Sequence, residues 1–150
     1  MEPQPYTELS DLGILALCCW REARGEAEDG KRGVAHVIAN RVKLGGWQGR
    51  DWHSVVLKPW QFSSFNLSDP NNTKWPSDDD PSWTECLSIS SGVLMGMDDD
   101  LTGGATYYYD TSIGWPKAWG NEAEYENTLN VGRLKFWKHL RPSDSAWPNS

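Results

Sequence analysis

Residues that build covalent or metallic frameworks are scarce in this chain, which has three cysteines and three histidines in 150 residues. Three cysteines cannot form a closed disulfide set. Cys18 and Cys19 are neighbours on a predicted helix and point about 100° apart, which sets them against bonding each other. A bond from Cys86 to Cys18 or Cys19 stays open, with buried free thiols as the expectation. No cysteine has the basic neighbour and exposed helix N-terminus that a thiolate nucleophile needs. His36, His53 and His139 stand at no paired Cys/His spacing, so neither a zinc site nor a cofactor is expected. Long apolar runs are missing too. The stretch Leu12 to Trp20 meets Arg21 and Glu22 at once, far short of the ~20 residues that cross a membrane. Positive charge is scarce: 14 Lys and Arg against 21 Asp and Glu leave a net charge of −7. That balance excludes a nucleic-acid partner, which needs clustered base. There is no internal repeat. The segment Met1 to Ser10 is polar with no basic start, so the expectation is a soluble product made in the cytoplasm without a secretory signal.

What is present suffices for a core. With 38% hydrophobic residues the chain is expected to form one domain over 1–150, with its core at about 10–140 and a loose Pro- and Ser-bearing tail at 141–150. A first helix is expected to end at a left-handed Gly25. A second reads from about Ala27 to Leu44, with Glu26, Glu28 and Asp29 at its start, Arg41 and Lys43 at its end, and Gly45-Gly46 as the stop. Asp51 should cap a short helix ending near Lys58. Asp80 should cap a longer one, with Pro81 at its first position and Gly96 past its end. Between them, Ser63 to Asp80 reads as a long polar loop. The runs Asp78–Asp80 and Asp98–Asp100 lack the D-x-[DN]-x-[DN]-G pattern of a calcium loop and read as solvated turn acids plus one cap. Strand formers concentrate later, at Thr106–Tyr109, at Leu129 and Val131, and at Leu134–Trp137. Helices first and a small antiparallel sheet in the C-terminal third make an α+β, mainly helical fold.

Glu22 is the first candidate for chemistry. Leu12, Leu15, Cys18 and Glu22 recur at three- and four-residue steps, so they share one helical face. A carboxyl at the end of an apolar stripe is desolvated, which raises its pKa and suits it to general acid work near neutral pH. Periodicity alone leaves open that Glu22 sits at the stripe's edge and reaches water.

Four blocks then carry a resemblance. Glu22-Ala23-Arg24-Gly25-Glu26 followed by Gly33 to Val42, the segment Val55 to Ser63 with Pro59 and Gln61-Phe62-Ser63, the stretch Thr102 to Tyr109, and Val131 to Trp137 together resemble the SleB-type cell-wall hydrolases, in order and over nearly the whole chain. The resemblance implies a lysozyme-like domain that acts on the glycan strands of peptidoglycan, with Glu22 as catalytic acid. Three places depart from the family's pattern. Arg21 stands where the family usually has a small residue, Phe65 comes one place late after Gln61-Phe62-Ser63, and Gly132-Arg133-Leu134 replaces a usual Gly-Asn-His.

Most glycosidases use two carboxylates. Glu26 is the candidate for the second, although an acidic first turn of the next helix also accounts for it. A lytic transglycosylase works with one glutamate, as acid and then as base, so that mechanism is the expectation. A muramidase using Glu22 and Glu26, or a non-catalytic glycan-binding module, are the alternatives. On the resemblance, Gln61 and Ser63 position substrate. Tyr107 and Tyr109 share one strand face, which either offers hydroxyls to the site or packs in the core, with Tyr108 opposite as the expected core residue. Of ten tryptophans, Trp20, Trp52, Trp83 and Trp137 read as core. Two or three of the loop residues Trp47, Trp60, Trp75, Trp115, Trp119 and Trp147 should line a cleft, Trp60 and Trp115 foremost. The expected partner is peptidoglycan, met by a monomer with no membrane insertion. A compact domain without export signal or wall-anchoring repeats suits a phage endolysin.

Overall fold

The computed structural model describes residues 1–59 and 61–141. Helix α1 (Asp11–Ala23) starts at Ser10, whose hydroxyl accepts the Gly13 N–H at 3.0 Å. It is buried on every side: Ile14, Leu15, Ala16, Leu17, Cys18 and Cys19 are all fully enclosed. An all-round apolar helix needs cover on every flank, and α2 (Glu28–Leu44), α3 (Trp52–Leu57) and α4 (Pro81–Leu94) supply it. The helix ends at Arg24, still in the right-handed conformation, and Gly25 is not left-handed as expected. The turn is closed instead by the Glu26 N–H on the Ala23 carbonyl at 2.9 Å.

Helix α2 stops where expected, at Gly45 with φ +61°. Asp51 and Ser54 form a reciprocal cap at the start of α3. At α4, Asp80 accepts the Ser82 N–H at 2.8 Å and the Trp20 indole N–H at 3.0 Å, tying the helix's start to α1. The three cysteines are free and buried. The Asp98–Asp100 run is not simply solvated. Asp98 bonds Arg32 at 3.1 Å and His36 at 2.5 Å, while Asp100 accepts from Asn40 at 2.9 Å and Thr102 at 2.6 Å. Burial alone would raise the Asp98 pKa, but hydrogen bonds from His36 and Arg32 outweigh it and hold the carboxyl below its usual range.

The sheet is antiparallel in the order β1-β3-β2, built from β1 (Tyr107–Asp110), β2 (Tyr125–Val131) and β3 (Leu134–His139). Tyr108 pairs with Phe136, and the buried Phe136 faces α2 at Gly33. The contact is too close for any side chain: a Cβ on Gly33 would lie 2.4 Å from the tip of the Phe136 ring. The other sheet face carries a second cluster of Tyr107, Tyr125 and Trp137, with Tyr109, Trp115 and Trp119 packed against it. The expected loose tail falls, apart from Arg141, outside the described residues.

Candidate active site

The last turn of α1 brings Glu22 into the wall of a pocket of about 310 Å³. Ala23, Gly25, Glu26 and Ser63 line it as well, together with Tyr108 and Asp110 from β1. Arg133 from the turn between β2 and β3, Leu134 at the start of β3 and the exposed Ile113 complete the lining. Arg133 stands 3.7 Å from the Asp110 carboxylate.

Burial raises the pKa of Glu22 above the ordinary glutamate value, as its apolar stripe implied. Ser64 and Tyr108 oppose that rise by favouring the charged form, and Asp69 adds to it through its charge. The Tyr108 hydroxyl donates to Oε1 of Glu22 at 2.8 Å. Burial pushes the phenol itself far up, so it remains a donor. The Ser64 hydroxyl is fully enclosed and makes no well-formed hydrogen bond, yet it lies against the same carboxyl together with its backbone N–H. Behind them Arg41 donates to the Thr106 carbonyl at 2.8 Å and lies over the Phe62 ring at 5.1 Å. Burial lowers its pKa to about 10, which leaves it cationic at neutral pH and within electrostatic reach of Glu22.

Glu26 does enter the pocket that Glu22 occupies. Its backbone is fixed by the buried Lys31, whose ammonium meets the Glu26 carbonyl at 2.6 Å and the Glu85 carboxylate at 2.8 Å. Of the two residues expected to position substrate, Ser63 lines the pocket and Gln61 lies outside its wall. The tyrosine assignment is reversed. Tyr108 is the residue at the acid, and Tyr107 and Tyr109 stand on the opposite sheet face, where Tyr107 meets Trp119 at 4.7 Å and Tyr109 stacks on Trp137 at 6.4 Å. Trp115 belongs to that rear cluster as well, 4.9 Å from Trp137. The described loop tryptophans therefore do not line the pocket: Trp75 stacks on Tyr6, and Trp47 lies under Lys58. Trp60 and Trp147 lie outside the described residues. Asp110 and Ser64 carry no mark in the sequence by themselves, but strand alternation puts Asp110 on the face of Tyr108 once that tyrosine is placed.

Among the described residues no group of His, Cys, Asp and Glu side chains converges as a metal site, and no helix is long and apolar enough to cross a membrane. A carboxyl buried beside a tyrosine donor and lining a pocket on a helical scaffold is an arrangement suited to acid–base chemistry. Residues 25–137 match the family model described as Cell Wall Hydrolase. The chain belongs to the Cell Wall Hydrolase family. Glu26, Ser63, Tyr108 and Arg133 fall within the matched stretch, and Glu22 lies just ahead of it.

Two solved structures of the same architecture support the fold. The catalytic domain of the germination-specific lytic transglycosylase SleB from Bacillus anthracis is 24% identical, with a TM-score of 0.67 over 90% of this chain and 100% of that one. The catalytic domain of the Bacillus cereus SleB protein is also 24% identical, with a TM-score of 0.65 over 85% of this chain and 89% of that one. No curated protein matches the chain significantly.

Proposed function

We propose that the protein cleaves peptidoglycan glycan strands between MurNAc and GlcNAc by lytic transglycosylation, with Glu22 as acid and then base. One observation carries the reading: a carboxyl whose pKa is raised by burial lies in the wall of a pocket with Tyr108 as donor. The Glu22 proton passes to the glycosidic oxygen. The bond from that oxygen to C1 of MurNAc breaks, its electron pair stays with the oxygen, and GlcNAc leaves with a free hydroxyl. The Glu22 carboxylate then takes the proton of the MurNAc 6-hydroxyl, whose oxygen closes on C1 as a 1,6-anhydro ring. Glu22 ends protonated and no water is consumed.

The surrounding groups fit both halves of this cycle. Tyr108 donates to one carboxyl oxygen and leaves the acid proton on the other. Once that proton has left, Tyr108 and Ser64 stabilise the carboxylate. The naming of the Bacillus anthracis domain as a lytic transglycosylase supports the same chemistry.

A hydrolytic reading has its own observation, because Glu26 and Asp110 share the pocket and either carboxyl is a candidate to activate water. Borohydride treatment of a digest separates the two. Transglycosylation leaves 1,6-anhydromuramoyl ends that borohydride does not reduce, and Glu26→Gln then costs little. Fully reducible ends, with Glu26→Gln as inactive as Glu22→Gln, would make the enzyme a two-carboxylate muramidase.

A further inference from the structure

Arg21 precedes Glu22 on α1 and points the other way, into the segment 63–75. Its side chain is 4% exposed, so a guanidinium lies inside the protein. A buried cation is costly unless it is fully bonded. Here its partners are carbonyls, a phenol and aromatic faces. Nε donates to the Lys74 carbonyl at 3.0 Å, and Nη2 to the Asn72 carbonyl at 3.2 Å. Nη1 donates to the Tyr6 hydroxyl at 2.8 Å and to the Ser64 carbonyl at 3.3 Å. The guanidinium also lies over the rings of Tyr6, Phe65 and Trp75 at 4.9 to 5.3 Å.

These bonds gather both ends of one loop. Ser64 belongs to the turn Ser63–Phe65, and Asn72 to the turn Pro70–Thr73. No regular strand or long helix fixes this segment, so its backbone carbonyls need outside donors. A planar fork with five N–H groups satisfies several carbonyls from one point, which a lysine ammonium does not. The adjacent Ser63 lines the same pocket as Glu22, and Ser64, its hydroxyl fully enclosed, lies close enough to the Glu22 carboxyl to favour the charged form.

We propose that Arg21 is a positioning residue for Glu22, fastening the Ser64 loop against the carboxyl from behind. The proposal rests on Glu22 being the acid of the reaction. Arg21 stays away from the pocket wall and acts through Ser64. The groups that face Glu22 are Cys18 on its own helix, Tyr108 from β1, Arg41 from α2 and Asp69 from the loop. Glu26, Asp110 and Arg133 stand around the pocket. Of the groups that favour the charged form of Glu22, Ser64 is the one whose place depends on Arg21.

The test is a carboxyl-carbon NMR titration of Glu22 in the wild-type protein, Arg21→Lys, Ser64→Ala and the double variant, with kcat and KM measured alongside. Arg21→Lys keeps the cation and its ring contacts but not the fork, so it preserves the fold better than an uncharged replacement. Arg32→Gln, which breaks an ion pair with Asp98 outside the pocket, serves as the control for plain destabilisation. Losing the Ser64 groups removes a partner of the carboxylate. The expected result is an upward shift of the Glu22 midpoint in Arg21→Lys and Ser64→Ala, no further shift in the double variant, and none in Arg32→Gln. A drop in kcat of about tenfold with KM nearly unchanged should accompany it. An unmoved or lowered midpoint in Arg21→Lys, or additive shifts, would overturn the positioning role. Full activity of Glu22→Gln would instead overturn the catalytic reading on which it rests.

Discussion

At the residue scale, the acid role proposed for Glu22 is set against stability. Its folded-state pKa is raised, so between the unfolded and the folded pKa the native state holds more protons than the unfolded chain. Stability therefore falls as pH rises through that window, and the whole penalty is present above the folded pKa. Glu22→Gln has nothing to titrate there and keeps an oxygen to accept from Tyr108. Its Tm is expected to exceed that of the wild type at about pH 8 and to match it near pH 4. A Tm difference that does not change with pH would mean that Glu22 is hydrated. The apolar stripe that exposes this residue in the sequence is local, which is why it was legible. Ser64 was not, because its place beside Glu22 depends on where a loop is tied down by Arg21.

At the element scale, the helix ends marked by Asp51, Asp80-Pro81 and Gly45 are legible from caps, whereas the Gly25 stop and the sheet face are not. Asp80-Pro81, Asp51 and Gly45 act within one turn of themselves, so their chemistry is written in adjacent residues. A strand of three tyrosines gives alternation but no phase, because all three side chains suit either face. The phase is set by tertiary contacts. Phe136 and α2 take Tyr108, while Trp119, Tyr125 and Trp137 take Tyr107 and Tyr109. Gly33 is the joint between helix and sheet. Gly33→Ala drives a methyl into the Phe136 ring, and overpacking of this kind costs about 1–3 kcal/mol. Urea denaturation should show that loss. Stability equal to the wild type would mean that the helix and sheet separate without cost.

At the scale of the whole molecule, the net charge of −7 leaves grip on a neutral sugar polymer to hydrogen bonds and apolar contacts. The tryptophan count suggested aromatic platforms beside the acid, but the count carries no position. Trp115 and Trp119 instead pack with the core residue Trp137 in a rear cluster on the sheet. The aspartate runs serve caps and ion pairs, and no metal ligand set converges among the described residues. Lysis is therefore expected to survive EDTA unchanged. Loss of activity restored by one specific ion would show that the aspartates have a role beyond structure.

The most direct measurement is the release of soluble muropeptides from purified peptidoglycan by Glu22→Gln, with near-ultraviolet circular dichroism confirming the fold. A general acid that cannot give up a proton should lower release by about 10²-fold or more while the spectrum stays native. Release close to the wild-type rate from a folded Glu22→Gln protein would remove Glu22 from the chemistry.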